Sequence, residues 1–177
     1  GAVRVDGVDV REWDLRALRR RIGVVLQDVF LFSGDVAGNI SLGRPEVTAA
    51  TIEAVARRVN AWGFIQGLPG GVHEKVRARG SNLSTGQRQL LAFARALAYD
   101  PAVLVLDEAT SSVDTETEML IQDALTTLMR DRTALVIAHR LSTIEHSDRI
   151  IVLHHGVVRE SGTHLELVAA RGIYHRL

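Results

Sequence analysis

The chain has 177 residues, and its 21 basic side chains balance its 21 acidic ones. Such a length fits one domain, or one domain and part of another. Zero net charge argues against a nucleic acid or an anionic membrane surface as the main partner, since proteins that bind either usually carry a surplus of basic residues. Hydrophobic residues make up 46% of the chain and cysteine is absent, which excludes a disordered chain, a disulfide scaffold, a thiolate metal site and a cysteine nucleophile.

The first half of the chain is predicted to hold short elements joined by glycine-rich loops. Apolar residues spaced two apart on either side of Asp6-Gly7 predict a β-hairpin over Val3–Val10. Apolar residues at helical spacing predict a helix over Thr48–Val59. The other segments of this half are predicted to be an arginine-rich helical turn at Asp14–Arg21, a buried strand at Ile22–Leu26, a loop over Phe30–Arg44 and a polar loop over Gly67–Asn82.

The second half alternates strands and helices more regularly. Ser84 and Gln87 have the spacing of a capping box, so a helix should begin at Ser84, run to about Tyr99 and stop before Pro101. The elements predicted after it are a buried strand at Ala102–Leu106, a helix capped by Asp114, a strand at Thr133–Ala138, a hairpin of Arg149–Leu153 with Val157–Arg159 and a helix at Thr163–Ala170. Strands that alternate with helices predict an α/β domain on a mainly parallel sheet.

The sequence shows no sign of a membrane span or a leader. No apolar run reaches the ~20 residues that cross a bilayer. The N-terminal residues Gly1–Arg4 have neither a signal-peptide pattern nor an initiator methionine. We therefore expect a soluble, intracellular chain that has been processed or taken from a longer one.

Two carboxylates, Asp107 and Glu108, directly follow the apolar residues of a predicted strand. The carboxyl edge of a parallel sheet is where α/β folds bind ligands, and alternation along a strand should point the two acids in different directions. One acid could therefore hold a magnesium ion and the other a water molecule. An equally good interpretation of this motif alone is a strand followed by an acid that caps a helix.

His139 and Gln27 also follow apolar strands and so can lie on the same edge. A neutral histidine there can donate a hydrogen bond to a phosphate oxygen or to a positioned water. A glutamine can orient water or bind a metal through its amide oxygen. Taken singly, each residue is better explained as a polar side chain at the end of a strand.

The segment Leu83–Gln87 places a serine, a glycine and exposed amides at a helix N-terminus, where the helix dipole and free N–H groups favour an anion. An ordinary capping box explains Ser84 and Gln87. It does not require Gly86, because glycine lowers helix stability. Gly86 therefore predicts a close approach of the backbone to another group.

In combination, these residues resemble the nucleotide-binding domain of ATP-binding-cassette (ABC) transporters, in particular the exporter type. Their order and spacing match across essentially the whole chain. The further segments that carry the resemblance are Leu31–Gly34, Asn39-Ile40, Gln87–Gln89, Ala94–Leu97, Asp107–Thr110, Ser111–Asp114, Ala138–Thr143 and Gly162–His164.

The resemblance implies an α/β, P-loop NTPase-like fold. It implies a RecA-like core over 1–35 and 99–177 and a helical signature subdomain over about 36–98. Two such domains would sandwich two ATP molecules with Mg²⁺, and ATP hydrolysis would drive transport through the transmembrane domain of the exporter. The domain would work at the cytoplasmic face of the cell membrane, with no role for nucleic acid.

The resemblance also assigns a role to each motif residue. Gln27 would sense Mg²⁺ and couple to the membrane domain, and Asp107 would hold Mg²⁺. Glu108 would act as the general base or orient water, and His139 would be the switch histidine; such groups supply the positioning and charge stabilisation that phosphoryl transfer needs. The residues that would face the partner domain are Ser84, Gly86 and Gln87, at the γ-phosphate of the partner's ATP, and Asp114, in the D-loop.

The chain departs from the family pattern in three places. Thr85 stands where the family usually has glycine, and Ala78 stands where the family commonly has an acid, in a loop that resembles the one sensing cross-talk between domains. The phosphate-loop pattern G-x-x-x-x-G-K-[ST] is absent, because the single lysine, Lys75, is followed by Val76. We therefore expect a C-terminal fragment whose phosphate loop and membrane domain lie upstream, and which by itself hydrolyses ATP very weakly or not at all.

Two other functions compete with this one. A soluble ATPase of the same superfamily, serving DNA repair or chromosome structure, would insert long coiled coils between its nucleotide motifs. Here Leu83 follows Gln27 by only 56 positions, and no heptad run is present. A non-catalytic binding module could lend its signature helix to a partner's composite ATP site without holding ATP itself.

Overall fold

The computed structural model describes residues 1–107, 113–138 and 141–176, except for the side chains of 141 and 142. The chain forms two compact units, Gly1–Ile137 and Ala138–Leu177. The strands are β1 (Arg4–Val5), β2 (Val8–Asp9), β3 (Ile22–Val25), β4 (Gly34–Asp35), β5 (Lys75–Val76), β6 (Val103–Asp107), β7 (Thr133–Ile137), β8 (Ile150–His154) and β9 (Val157–Gly162). The α-helices are α1 (Leu15–Arg21), α2 (Val36–Ser41), α3 (Ala49–Arg58), α4 (Trp62–Gly67), α5 (Thr85–Tyr99), α6 (Thr115–Met129), α7 (Leu141–Ile144) and α8 (His164–Ala170). Within the described ranges, no helix combines the length and the apolar character that crossing a membrane requires.

The first unit is built on a parallel sheet with the strand order β3-β6-β7. In its register, Val105 of β6 pairs with Val24 of β3 on one side and with Leu135 of β7 on the other. Leu104 and Leu106, on the opposite face of β6, are 0% and 2% exposed and share one core with apolar side chains of α5 and α6. The predicted parallel sheet is therefore confirmed, and it brings the carboxyl ends of three strands to one edge.

The other face of this sheet is more open to solvent. Val24, Leu135 and Ile137 are 56%, 59% and 52% exposed. The prediction of a buried strand at Ile22–Leu26 is therefore wrong in part, because only Val25 is buried in β3. Successive residues of a strand point to opposite faces, so packing against α5 buries Val25 and leaves Val24 outside.

Helix α2 lies where the glycine-rich sequence predicted a loop, Phe30–Arg44. Asp35 caps this helix, because its carboxylate accepts a hydrogen bond from the Gly38 amide at 2.6 Å. The residues that α2 buries are Val36, Asn39 and Ile40. This tertiary burial outweighs the weak helix propensity of glycine, and the loop prediction is wrong for this part of the segment.

Two further elements, α4 and β5, were not predicted from the sequence, each because of an interaction with distant residues. Helix α4 carries glycine at 63 and 67, yet it buries Ile65 at 1% exposure. Lys75 lies in β5, which pairs antiparallel with β4, and not in the polar loop predicted over Gly67–Asn82. Strands of two residues give no periodic signal, so only the partner strand reveals them.

Several local predictions are confirmed. β1 and β2 pair across Asp6 and Gly7, whose φ angles of 51° and 80° are those of a tight hairpin turn. Thr48 caps α3, and Thr163 caps α8. The buried face of α6 consists of Ile121, Ala124, Leu125 and Leu128.

The second unit has a small core of its own. β8 and β9 form the predicted antiparallel hairpin, and the buried apolar residues are Ile150, Val152, Leu167 and Tyr174. The Glu160 carboxylate accepts hydrogen bonds from the amides of Ile173 at 2.5 Å and Tyr174 at 3.0 Å. His164 Nδ1 lies 2.8 Å from the Tyr174 hydroxyl. These contacts attach the C-terminal turn to β9 and α8. The division of the chain into a core and a signature subdomain at 36 and 98 stays a prediction.

Candidate functional site

Gln27 and Asp107 lie at the same edge of the parallel sheet. β3 and β6 are neighbours, and Val25 pairs with Leu106. Asp107 is the next residue of β6, whereas Gln27 follows the end of β3 by two positions. Gln27 is exposed and Asp107 is half-buried. The two side chains therefore stand at the carboxyl ends of adjacent parallel strands.

This pair suits a hard divalent cation. Mg²⁺ takes oxygen ligands, and in proteins it is usually held by one or two carboxylates while it keeps several waters or phosphate oxygens. Asp107 offers a carboxylate and Gln27 an amide oxygen. Among the described residues, no group of three or more histidine, aspartate or glutamate side chains could hold a metal. Two further predicted site residues, Glu108 and His139, lie outside the described part of the chain.

The N-terminus of α5 is closed by the predicted capping box. The backbone N–H of Gln87 donates to Ser84 Oγ at 3.1 Å, and the backbone N–H of Ser84 donates to the side-chain oxygen Oε1 of Gln87 at 3.0 Å. Ser84 is exposed and Gln87 is half-buried. We call Leu83–Gln87 the signature turn. Its position at the positive end of a helix of 15 residues suits an anion.

Gly86 is buried against the first turn of α6. A β-carbon at this position would overlap Cγ2 of Thr117 and lie 3.4 Å from Cγ1 of Val113. The close approach that Gly86 predicts is therefore an approach to another helix of the same chain. This contact explains the glycine without any ligand.

Asp114 begins that second helix. Its Oδ1 accepts a hydrogen bond from the Thr117 amide at 2.9 Å, and hydrogen bonds to Thr117 are the main cause that lowers the pKa of Asp114. The signature turn and the Asp114 turn thus meet at one place, through Gly86 and Thr117. The structure therefore sorts the six predicted site residues that it describes into two groups: Gln27 and Asp107 at the sheet edge, and Ser84, Gly86, Gln87 and Asp114 at the N-termini of α5 and α6.

The two departures in and near the signature turn have structural consequences. The guanidinium of Arg88 donates to Thr85 Oγ1 at 3.1 Å and to the Leu83 carbonyl at 2.9 Å. The hydroxyl of Thr85 thus has a partner that glycine would not offer. Ala78 lies exposed in a short 3₁₀ turn, Ala78–Gly80, and its methyl group supplies no polar contact to another domain.

Two residues without a predicted role, Arg95 and Asn39, fix the segment that follows Gln27. Arg95 donates hydrogen bonds to the backbone carbonyls of Phe30 and Asn39. Burial lowers the pKa of Arg95, an effect that Tyr99 partly offsets. Arg95 is the only charged residue in the apolar run from 90 to 97. Both Arg95 and Asn39 also lie in segments that carry the family resemblance, but the resemblance assigned neither residue a role.

Comparison with known proteins identifies the family. Residues 1–111 match the family model described as ABC transporter. The chain belongs to the ABC transporter family. Its fold is that of an ABC exporter nucleotide-binding domain: the structure of a bacterial Atm1-family ABC exporter with ATP bound matches with a TM-score of 0.90 and 39% sequence identity. That match covers 99% of this chain and 31% of the exporter chain.

Curated relatives of this ABC transporter chain are of the same kind. The ABC transporter ATP-binding protein YknV of Bacillus subtilis (strain 168) is 51% identical over 174 residues, which are 98% of this chain and 29% of YknV. A multidrug efflux ATP-binding/permease protein of Mycobacterium bovis (strain BCG / Pasteur 1173P2) is 50% identical over 177 residues, covering 100% of this chain and 15% of that protein. A fatty acid ABC transporter ATP-binding/permease protein of Mycobacterium bovis (strain ATCC BAA-935 / AF2122/97) is 48% identical over 177 residues, covering 100% of this chain and 28% of that protein. The chain thus spans less than a third of the length of these relatives.

Proposed function

We propose that this chain binds and hydrolyses ATP as the nucleotide-binding domain of an ABC exporter and so drives transport across a membrane. The observation that carries the proposal is the shared sheet edge, where Gln27 and Asp107 end two neighbouring parallel strands. Ligands of α/β folds bind at this edge. Membership of the ABC transporter family and the exporter fold support the same activity.

In this proposal each of the four motif residues has one task. Asp107 holds Mg²⁺ and Gln27 contributes an amide oxygen near it. When bound, the ion neutralises negative charge on the phosphates. Glu108 takes the proton of the attacking water or holds that water in line, and His139 donates a hydrogen bond to a phosphate oxygen. The roles of Glu108 and His139 rest on their positions in the sequence motifs.

The proposed partner is a second ABC nucleotide-binding domain, identical or related, whose ATP lies against the signature turn of this chain. The signature turn supports this role because Ser84 is exposed at the positive end of α5. Asp114 is exposed beside it. The N-terminus of α5 is capped by the neutral hydroxyl of Ser84, so its positive end still favours negative charge such as that of a γ-phosphate.

The proposed second partner is the transmembrane domain of the exporter, which places this chain at the cytoplasmic face of the cell membrane. Two relatives are named ATP-binding/permease proteins and so combine both parts in one chain. On this chain, Phe30 and Phe32 follow Gln27 closely and are 53% and 52% exposed. Their rings touch edge to face, with centroids 5.0 Å apart. An exposed aromatic pair beside Gln27 supports a docked partner at this place.

A second candidate is a non-catalytic module that only completes a partner's ATP site. The observation that favours it is the missing phosphate-loop pattern: the single lysine, Lys75, is followed by Val76 and lies in β5. The signature turn nevertheless keeps Ser84, Gly86 and Gln87. Such a module would need Ser84 but would not need Asp107.

The two functions are separated by two substitutions in the intact exporter. We expect Asp107→Asn to lower Mg²⁺-dependent ATP turnover by at least about tenfold, equivalent to about 1.4 kcal/mol of activation free energy, because the amide cannot carry the charge that holds the ion. Glu12→Gln, which removes an exposed carboxylate from the same unit, should leave turnover unchanged. If Asp107→Asn has no effect while Ser84→Ala lowers turnover, the chain is a non-catalytic module. The 177 residues alone should hydrolyse ATP very weakly or not at all, and rapid turnover by them would contradict the view that a phosphate loop comes from elsewhere in the protein.

A further inference from the structure

The side chain of Asn39 pairs with the backbone of Phe32 as a neighbouring strand would. The Phe32 amide donates to Asn39 Oδ1 at 2.8 Å, and Asn39 Nδ2 donates to the Phe32 carbonyl at 2.8 Å. Asn39 Nδ2 also donates to the Asp35 carbonyl at 3.0 Å. Asn39 is only 2% exposed. Because the buried carboxamide of Asn39 makes all three of these hydrogen bonds, it holds the backbone of Phe32 in one position.

Arg95 of α5 hydrogen-bonds to both Asn39 and the segment that contains Phe30 and Phe32. Its Nε donates to the Asn39 carbonyl at 2.8 Å, its Nη1 to the Phe30 carbonyl at 3.0 Å and its Nη2 to Asn39 Oδ1 at 3.1 Å. Within the described part of the chain, the guanidinium pairs with carbonyl oxygens and with no carboxylate. Burial lowers the pKa of Arg95, although an arginine side chain stays charged in a protein. Its planar fork thus holds two backbone carbonyls in one geometry.

The segment held in this way is Gln27–Ser33, which we call the Gln27 segment. It has no regular secondary structure and ends just before β4. Within it, Leu31 is fully buried. Its backbone is also held by hydrogen bonds to Asn39 of α2 and Arg95 of α5.

Helix α5 joins this anchor to the signature turn. Arg95 lies 11 positions after Ser84 on the same helix, a distance of about 16 Å along its axis at 1.5 Å per residue. Packed helices move as rigid elements. A displacement of the signature turn in which α5 moves as a rigid body would also move Arg95, whose hydrogen bonds reach the Gln27 segment.

We propose that Arg95 and Asn39 are positioning residues that make the Gln27 segment move with α5, so that nucleotide binding at the signature turn is transmitted to the aromatic pair Phe30 and Phe32. This inference rests on the proposed ATPase function of the exporter. It concerns the connection within this chain, because neither side chain is placed at the nucleotide.

The test uses the intact exporter with a reporter on the Gln27 segment. Because this chain has no cysteine, a single cysteine at position 30 can carry a fluorescent label once any cysteines elsewhere in the exporter are replaced. The Phe30 side chain is 53% exposed, so the position can carry a label. Arg95 binds the backbone carbonyl of residue 30, which the replacement keeps. In the wild-type background, ATP with Mg²⁺ should change the fluorescence of the label.

The decisive variant is Arg95→Lys, which keeps the positive charge but cannot reach all three oxygens with a planar fork. We expect the KM for ATP to stay within about twofold, kcat to fall by about tenfold, equivalent to about 1.4 kcal/mol, and the ATP-dependent fluorescence change to be lost. Arg57→Lys is the matched control, because Arg57 makes an exposed pair with Glu53 on α3. It should leave all three quantities unchanged.

A second variant covers the case in which Arg95→Lys does not fold. Asn39→Asp has the same shape and still accepts from Phe32 and Arg95, but it loses the two bonds that Asn39 Nδ2 donates. It should also reduce the fluorescence change. A fluorescence change equal to that of wild type in either folded variant would overturn the inference. A wild-type exporter without ATP turnover would instead overturn the proposed function, so the two failures are distinct.

Discussion

Gly86 of α5 packs directly against Thr117 of α6, with no room between them for a β-carbon. Gly86 stands in the signature turn, and Thr117 donates its amide to Asp114, the residue that begins α6. These are the two turns of this chain that, by the family resemblance, should face the partner domain. They are packed against each other. This contact explains why the signature turn has a glycine at position 86: any larger side chain would overlap Thr117 of the same chain.

The first prediction follows from that contact. Gly86→Ala should lower the free energy of unfolding by about 1–3 kcal/mol, the usual range for overpacking, although alanine is the better helix former. The double variant Gly86→Ala/Thr117→Ser should recover most of the loss, because serine lacks the Cγ2 methyl that the new β-carbon meets. Urea unfolding measures both.

Thr117→Ser alone is the control for this experiment and should cost little, since serine keeps the hydroxyl. If Gly86→Ala is as stable as wild type, or if the double variant is no better than Gly86→Ala, the packing explanation is wrong.

The second prediction separates the two tasks of Ser84. Ser84→Ala should lower stability by about 1 kcal/mol, because the Gln87 amide loses its side-chain acceptor. Ser84→Asn should restore most of this stability, since asparagine is an equally good N-cap. Both variants should lower ATP turnover in the intact exporter if the hydroxyl contacts nucleotide. Full turnover by Ser84→Asn would show that Ser84 is only a cap.

How far the sequence predicts this structure depends on how local each interaction is. The capping box of Ser84 and Gln87 joins residues three apart, and it is confirmed along with the helix that it starts. Helix α2 was missed because Gly38 weakens its propensity, while the burial of Asn39 and Ile40 that compensates depends on distant residues.

The connection between Arg95 and Asn39 spans 56 positions and leaves no periodic trace in the sequence. Gly86 lies between these two cases. The sequence indicates that something approaches its backbone, but only the fold shows that Thr117 does so. The roles of Glu108 and His139 stay predictions that rest on the resemblance.

The third prediction concerns the second unit at low pH. Hydrogen bonds from the amides of Tyr174 and Ile173 lower the pKa of Glu160. A carboxyl whose pKa is lower in the folded state contributes stability above its unfolded pKa of about 4.3, and the contribution disappears as the pH falls through the folded pKa. The C-terminal turn should therefore stay attached at neutral pH and detach only in acid.

Amide proton NMR of Ile173 and Tyr174 checks this expectation. Both signals should shift together with a midpoint below about 4.3, and the transition should vanish in Glu160→Gln. A midpoint at or above that value, or one that persists in Glu160→Gln, would contradict the assignment. Asp148→Asn, an exposed change in the same unit, should leave the transition in place.

The most direct test of the central claim, that this chain hydrolyses ATP within an exporter, is the effect of Glu108→Gln on ATP turnover in the intact protein. If Glu108 is the general base, glutamine keeps the shape of the site but cannot take the proton of the attacking water. The purified variant should bind ATP as wild type does, while its turnover falls by about 10²–10⁴-fold, the usual contribution of a general base. Wild-type turnover in the variant, measured together with normal ATP binding, would contradict the account.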